Sequence, residues 1–454
     1  MAVLVICFVV SRWLVEQSGI NFQYGALFTY WQYLEVDSLR HNALSSVWYM
    51  HGQPPLFNLL VAAVLKSSGG YNRTVFRVLG MLISFGNAVL LLRILKSRVG
   101  PGWLPLAAAL WYMLSPATIL FENELFYTSF TSLLLLLGFL FLHRFANSGC
   151  SASLRAFFGL LVVLCLTRAT FHLVWLTGTG VILVVAYYKK PLFKKVLFAG
   201  LASVLLVSSW YIKNAVLFGS FSASSWTGIN LSRIVFHEVP VSDSSSIAAI
   251  HPFLPISYYK RYISTGSQTQ YAGKNDPVLL REMKNDSAIN MNHAGYIQVS
   301  RRYMEACLQY IAQHPAGYIK NVATSFIIFF TPASSYFQVR ENCSRLPVYD
   351  ALYSFNLSHF FSTDEGRKTA LAVSALPKFL AYLLIFSGLV KSSIRQRKIP
   401  VTEAFIVWSV FYLLFTTTLF EYGENMRFRY ETEPLFLILV CGLLGKRNLL
   451  PKKK

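Results

Sequence analysis

The stretch "YTSFTSLLLLLGFLFLHRFANSGCSASLR", residues 127–155, decides the fold class of this chain. It begins with an apolar run, residues 127–143, and ends in a loop that carries Arg144 and Arg155 and no acidic residue. An apolar run of this length approaches the ~20 residues that cross the hydrocarbon core of a bilayer as a helix. The stretch therefore indicates a membrane-spanning helix that ends at a positively charged loop.

Runs of the same kind recur along the whole chain. They lie at residues 1–14, 78–95, 103–121, 127–143, 156–167, 171–188, 196–214, 373–390, 402–420 and 433–445. Short basic segments alternate with them, at Lys96 and Arg98, at 189–195, at 391–398 and in the tail 446–454. Because Lys and Arg collect in cytoplasmic loops, these segments are all predicted to be cytoplasmic. The sequence thus predicts an all-α integral membrane protein, a bundle of about ten spans.

The composition agrees with a membrane protein. Of the 454 residues, 54% are hydrophobic and only 13% are charged. The net charge of +21 would suggest nucleic acid in a soluble protein, but here Lys and Arg cluster between apolar runs. We therefore expect the lipid bilayer, and no nucleic acid, as a partner. The six Cys show no metal-binding spacing, and Cys307 and Cys343 could pair on an oxidising side.

Two further segments do not fit the alternation. Residues 55–65 are too short to span the membrane. Counting residues 318–336 as a span would place the basic loop that follows on the opposite side of the membrane from the other basic loops. Both are predicted to be interfacial or re-entrant helices on the outer face. The expected organisation is a transmembrane module at 1–214 with an outer loop at 15–77, a mostly helical outer loop at 215–372, and a second transmembrane module at 373–454.

The stretch "HGQPPLFNLL", residues 51–60, lies at the start of the first of these segments. Pro54 and Pro55 can begin a helix, because proline is tolerated in the first turn. His51 and Gln53 then stand just before a helix that lies along the membrane surface.

Titratable and strongly polar side chains next to the apolar runs all fall on the predicted outer face. They are Glu35, Asp37, His41 and His51 in the first loop, Glu122 and Glu124 in the next turn, Arg168 and His172 in the third, Lys213 and Asn214 at the start of the long loop, and Glu421, Glu424, Arg427, Arg429 and Glu431 in the last. Such groups are costly beside a membrane unless they are paired, solvated or functional.

Each of these residues also has an ordinary structural explanation. An isolated Arg or Glu at a helix end is commonly an interfacial anchor or an ion-pair partner. Asp37 could begin a helix, His51 could be a packed loop histidine, and the aromatic residues of 22–33 are more typical of an interfacial belt than of a sugar-stacking shelf. The location of every cluster on one face favours instead a single cleft with acidic and basic walls.

The chain resembles the GT-C superfamily of polytopic glycosyltransferases. The nearest branch includes protein O-mannosyltransferases and lipid A aminoarabinose transferases. Three features carry the resemblance: "EVDSLRHNALSSVWYMHGQPPLFNLL" (35–60) in the first outer loop, "FENELFY" (121–127) at the outer end of span three, and one long loop after span seven. The family commonly has an Asp soon after span one, whereas residues 17–34 contain no Asp or Glu.

The resemblance implies a sugar donor linked to a polyprenyl phosphate, dolichyl or undecaprenyl, and a glycan, lipid or protein acceptor. It implies direct displacement with inversion, in the endoplasmic reticulum membrane or a bacterial inner membrane. A carboxylate is needed as base, for which Asp37 is favoured over Glu35, with Glu122 as the next candidate. The expected substrate-binding residues are His51, Gln53, Arg168, His172, Lys213, Arg427 and Arg429.

Two questions stay open at this point. Some relatives use a divalent metal and others do not, so no cofactor is assigned, and His51 is the candidate ligand. Arg427 and Arg429 point to one side if their segment is extended and diverge if it is helical. The alternative function is a transporter or flippase for a lipid-linked or anionic solute.

Overall fold

In the computed structural model, the structure describes residues 1–237, 246–263, 276–285, 288–397 and 399–448, and the side chains up to residue 445. All ten apolar runs lie on helices. These are α1 (Ala2–Gln17), α2 (Asn72–Val99), α3 (Trp103–Leu114), α4 (Thr128–Ser148), α5 (Ser151–Thr167), α6 (Leu173–Tyr187), α7 (Phe193–Phe218), α8 (Asp364–Gln396), α9 (Val401–Phe420) and α10 (Glu433–Asn448).

Five of these helices, α2, α4, α7, α8 and α9, are long and apolar enough to cross a membrane. Helix α3 bends by 54° into the helix Pro116–Glu122, and this pair counts as a sixth span when taken together. Helices α5, α6 and α10 are apolar but shorter. The predicted all-α integral membrane bundle is confirmed, whereas the number of ten spans stays a prediction.

Two of the basic segments, those that contain Arg98 and Lys195, lie at one end of the bundle. Arg98, at the end of α2, forms a 2.5 Å ion pair with Glu403 at the start of α9. Its guanidinium also lies over the ring of Phe139, in the second half of α4. At the start of α7, Lys195 donates to Ser151 at the start of α5. The end of α2 thus lies beside the start of α9, and α5 and α7 begin at the same end, while the sides of the membrane stay a prediction.

The opposite end carries the first outer loop and the long loop. The first loop forms the helices Ala26–Thr29, Val36–His41, Ala43–Tyr49 and Leu56–Ser67 and the 3₁₀ turn Gly69–Tyr71. As predicted from the two prolines, the helix Leu56–Ser67 begins directly after Pro55. It has 12 residues and is thus too short to cross a bilayer.

The long loop is mostly helical where the structure describes it. Its α-helices are Thr227–Val235, Pro277–Leu280, Gly295–Gln313, Pro315–Phe330, Arg340–Cys343 and Pro347–Ser354, and its 3₁₀ helices are Ile247–Ala249, Ile256–Tyr262, Ala333–Ser335, Phe337–Val339 and Leu357–Phe360. The loop packs directly on the spans: the Tyr318 hydroxyl donates to the Leu419 carbonyl, and that of Tyr349 to the Leu114 carbonyl.

The helix Pro315–Phe330 covers most of the segment predicted to be interfacial or re-entrant. Phe330 at its end stacks edge-on against Phe379 and Tyr382 of α8. The helix therefore packs on the bundle wall, and its position relative to the bilayer stays a prediction.

The hydrophobic core lies between the spans, where residues such as Phe139, Leu161 and Phe405 are fully buried. Separate clusters lie beneath the two outer loops. Cys307 and Cys343 belong to different clusters, and both are free and buried. The suggested pairing of these two cysteines is therefore wrong.

Candidate active site

A cavity of about 410 Å³ opens at the end of the bundle that carries the outer loops. The ends of α5, α6, α7 and α9 surround it, together with the start of the long loop. Its polar wall combines three arginines with two glutamates: Arg168, Arg233, Arg427, Glu421 and Glu424. The volume falls in the range of ordinary ligand pockets, ~300–1,000 Å³.

Arg427 is a buried cation of this wall with unused donors. It lies on the short helix Asn425–Glu431, between α9 and α10, and is 3% exposed. Its Nη2 donates to Glu424 Oε2 at 2.5 Å, whereas Nε and Nη1 have no hydrogen-bond partner among the described residues. The rings of Phe126, Tyr336 and Phe428 surround the guanidinium at 4.8–5.0 Å. A buried donor without a partner is costly, so this side chain is arranged to meet an anion from the cavity.

Arg168 follows α5 and forms a buried ion pair with Glu431. Its guanidinium lies between the rings of Tyr127 and Phe428, at 4.9 and 4.3 Å. These contacts link α4, α5 and the helix Asn425–Glu431, so Arg168 both supports the wall and adds positive charge to it.

Arg233 enters the cavity from the long loop, on the helix Thr227–Val235. Its Nη1 lies 3.0 Å from Glu424 and 3.4 Å from Glu421. The position of the helix depends on Gly228, since a Cβ there would lie 1.9 Å from the Ser300 carbonyl oxygen. A close crossing of two helices thus brings this arginine to two carboxylates near the end of α9.

The pKa values of the two glutamates are shifted in opposite directions. Burial raises the pKa of Glu421 to about 7, against the effect of Arg233. Burial also disfavours the charged form of Glu424, but Arg427 and Arg233 outweigh it and lower the pKa of Glu424. Near neutral pH the wall therefore offers one carboxylate that stays ionised and one that exchanges a proton.

The His51–Gln53 stretch supports the same cavity. His51 is 1% exposed, with Nε2 donating to the Asn292 carbonyl at 2.9 Å and Nδ1 accepting from Ser225 Oγ at 2.6 Å. Burial lowers its pKa to about 3, so the ring is neutral. With both nitrogens engaged, His51 holds two loops together, and in this arrangement neither nitrogen is free to bind a metal.

Gly52 completes this connection. Its N–H donates to Asn292 Oδ1, and its carbonyl accepts from Ser224 Oγ. A Cβ at Gly52 would lie 2.4 Å from the Trp226 ring, so only glycine allows this approach. The result is that Gln53, the next residue, lines the cavity.

Aromatic rings form the wall opposite the spans. Trp31 stacks on Phe253 with ring centroids 4.2 Å apart and planes 11° apart, and Trp226 stands beside them. Flat aromatic faces next to polar groups suit a ligand that has both apolar and hydroxyl-bearing surfaces. The sequence favoured an interfacial belt for the aromatic residues of 22–33, but Trp31 lines the cavity.

The cavity brings together four of the residues predicted from the sequence: Gln53, Arg168, His172 and Arg427. The others lie outside its lining. Asp37 is exposed and Glu35 is partly buried; both accept hydrogen bonds from Asn285, and Glu35 also pairs with Arg281.

Glu122, Lys213 and Arg429 have structural partners. Glu122 accepts two hydrogen bonds from Arg12 Nε, at 3.1 Å each, and pairs with its Nη2. Lys213 Nζ donates to the Trp48 and Met50 carbonyls and lies over the Trp210 ring. Arg429 donates to the Phe329 and Thr331 carbonyls and pairs with Glu433. Because the segment is helical, the side chains of Arg427 and Arg429 point in different directions and contact different residues.

Sequence reasoning did not single out Arg233, Glu421 and Glu424 as site residues. The two glutamates share a segment with Arg427, which was a usable signal. Arg233 had no local signal, because its partners Glu421 and Glu424 lie 188 and 191 residues away.

Glu124 was noted from the sequence but not assigned a role. It accepts a hydrogen bond from the Tyr30 hydroxyl, and its other oxygen is buried without a partner among the described residues. Burial raises its pKa to about 8. It does not line the cavity, although its charge interacts with that of Arg427.

Comparison with known proteins gives little beyond this. No protein-family model matches the sequence, and no curated protein matches it significantly. Among solved structures, the chain aligns with the crystal structure of ArnT from Cupriavidus metallidurans in the apo state, with 12% identity, over 98% of this chain and 77% of that one, at a TM-score of 0.33. ArnT is a GT-C aminoarabinose transferase.

Proposed function

We propose that the chain is an integral-membrane glycosyltransferase of the GT-C type. In this proposal it moves a sugar from a polyprenyl-phosphate donor to an acceptor hydroxyl, within the cavity described above. One observation carries the proposal: the buried Arg427, with two unused donors, shares a cavity wall with Glu421, a carboxylate whose pKa lies near neutrality. Cleavage of a sugar phosphate needs both an anion-binding group and a base.

A lipid-linked donor suits the shape of the opening. Val174 of α6 and Phe420 of α9 line the cavity and are 61% and 39% exposed on apolar helices. Such an apolar rim would let a polyprenyl tail stay in the bilayer while its phosphate reaches the cavity.

Arg427 then has the role of phosphate ligand. Its guanidinium is always charged and holds its donors in fixed in-plane directions, so Nε or Nη1 can donate to a phosphate oxygen while Nη2 stays paired with Glu424. Negative charge grows on the phosphate as the sugar leaves, and a preorganised cation in a buried site stabilises that charge strongly. Arg168 and Arg233 add positive charge to the same wall.

Glu421 has the role of base. The acceptor oxygen attacks the anomeric carbon, its proton passes to the Glu421 carboxylate, and the bond from the sugar to the phosphate oxygen breaks. The lipid phosphate leaves with the bonding electrons, and direct displacement inverts the anomeric centre. Asp37, Glu35 and Glu122 remain the candidates that the sequence proposed, and substitution by amides distinguishes them from Glu421.

The remaining wall suits the sugar. Gln53 and Asn230 line the cavity as amide donors and acceptors for hydroxyl groups, and Trp31 offers an aromatic face. The sugar, the acceptor class, the polyprenol and the membrane, whether endoplasmic reticulum or bacterial inner membrane, are to be determined by experiment.

A donor panel tests the proposal. Purified protein is given polyprenyl-phosphate sugars of both dolichyl and undecaprenyl type, each with a radiolabelled sugar. We expect one donor to release its lipid phosphate, faster with an added acceptor, and the Arg427→Lys variant to lose this release. If no donor is cleaved while the intact lipid crosses vesicles that contain the protein, the chain is a flippase and the proposal is wrong.

A further inference from the structure

Three side chains that commonly bind metals meet outside the cavity: Cys343, Asp350 and His359. Asp350 Oδ2 lies 3.4 Å from Cys343 Sγ and 2.8 Å from His359 Nε2, and Sγ and Nε2 are 3.7 Å apart. Ligand bonds of about 2.0–2.3 Å around a tetrahedral zinc ion separate neighbouring ligands by roughly 3.3–3.6 Å. The three observed separations lie within about 0.6 Å of that range.

The three residues come from three consecutive short elements. Cys343 ends the helix Arg340–Cys343, Asp350 lies in Pro347–Ser354, and His359 lies in the 3₁₀ helix Leu357–Phe360. Cys343 and Asp350 are buried, whereas the His359 side chain is 15% exposed. A metal could therefore enter from the histidine side and would join elements that have little core of their own.

The charge of Asp350 also points to a cation. Its carboxylate is fully buried and pairs with the His359 imidazole, and the charge of Lys378 on α8 also interacts with it. Cys343, Asn356 and His359 all converge on Oδ2, while Oδ1 is buried without a hydrogen-bond partner in the described structure. The hydroxyls of Ser334 and Ser354 also interact with this carboxylate, and a buried carboxylate that faces so many polar side chains suits a cation.

We propose that Cys343, Asp350 and His359 bind a divalent transition-metal ion of the zinc class. A thiolate with an imidazole and one carboxylate favours zinc over magnesium or calcium, which prefer oxygen ligands. Binding releases the protons from Cys343 Sγ and His359 Nε2, and the thiolate and carboxylate together balance the charge of the ion. A water or the hydroxyl of Ser334, which lies near Cys343 and Asp350, completes four ligands.

Asn356 has a supporting role in this site. Its Nδ2 donates to Asp350 Oδ2 at 2.6 Å and would keep the carboxylate oriented towards the ion. Tyr336, two residues from Ser334, lies against Arg427 with its ring centroid 5.0 Å from the guanidinium. The metal would thus also steady one wall of the cavity from outside, a structural role that is independent of the proposed catalysis.

The test uses purified full-length protein and elemental analysis. We expect about one zinc ion per chain in the wild type, and at least a tenfold loss in Cys343→Ser, Asp350→Asn and His359→Gln. Cys307→Ser is the matched control, because Cys307 is also buried and free but lies in another cluster, and it should retain the metal.

Two measurements on the wild type keep the test decisive if the variants do not fold. Chelator-treated protein should regain thermal stability on addition of Zn²⁺, and with Co²⁺ it should show a thiolate-to-cobalt charge-transfer band. Wild-type protein without bound zinc, without this band and without a shift in Tm would overturn the proposal and leave a purely hydrogen-bonded cluster.

Discussion

At the level of single residues, Glu421 carries the proton transfer of the proposed reaction. Its raised pKa means that it is protonated, and inactive as a base, below about pH 7 and deprotonated above it. Turnover should therefore rise with pH through this region. Glu421→Gln should reduce turnover by about 100-fold or more and remove this rise.

The matched controls are Glu35→Gln and Asp37→Asn, which replace carboxylates of the first outer loop that do not line the cavity. Both should keep near-normal turnover and the same pH profile. A large loss in either control, with Glu421→Gln active, would return the base to the first loop.

Arg427 and Arg429 form a second comparison, two residues apart on one short helix. Arg427→Lys should leave the Tm nearly unchanged but reduce turnover by about 10²-fold, the scale for losing a donor to a developing oxyanion. Arg429→Lys should instead lower the Tm, because it loses hydrogen bonds to the Phe329 and Thr331 carbonyls. Turnover assays and thermal unfolding of both variants separate the two roles, and equal turnover in Arg427→Lys and wild type would make Arg427 an anchor.

At the level of elements, the buried pair of Arg12 and Glu122 fixes α1 to the helix Pro116–Glu122. Removing one partner of a buried ion pair costs about 3–5 kcal/mol, since the other charge stays buried. Glu122→Gln should therefore lower the Tm clearly, while the folded fraction keeps its turnover.

Glu16→Gln is the control on the same helix. Glu16 pairs with Arg77 at the surface, where the two side chains are 58% and 36% exposed. Such pairs contribute about 0–1 kcal/mol, so the Tm should hardly change. If Glu122→Gln is instead stable and inactive, Glu122 is catalytic, as the sequence suggested.

The helical bundle could be predicted from the sequence better than the site, because the bundle depends on local patterns and the site on contacts between distant segments. Apolar runs are local, so all ten helices could be recognised from the chain alone. His51 depends on Ser225 and Asn292, which lie 174 and 241 residues away, and Arg233 depends on equally distant glutamates. The sequence could place these residues on one face, but only the packing of the loops decides which of them meet.

At the level of the whole molecule, the alternation of spans predicts the sides of the membrane. Glu365 and Gln396 are exposed at the two ends of α8, so a Cys at each position reports whether this helix crosses. Gln396→Cys should react with an impermeant thiol reagent from the same side as the exposed native Cys150, and Glu365→Cys from the opposite side. Reaction of both engineered cysteines from one side would exclude α8 as a span and contradict the orientation.

The central claim is that the cavity breaks the bond between a sugar and a lipid phosphate. The most direct measurement follows one lipid-linked sugar in proteoliposomes and records cleavage and transbilayer movement in the same sample. The account predicts release of polyprenyl phosphate by the wild type, a loss of about 100-fold or more in Glu421→Gln, and normal release in the exposed control Arg281→Lys. Movement of the intact lipid without cleavage, unchanged in Glu421→Gln, would contradict it.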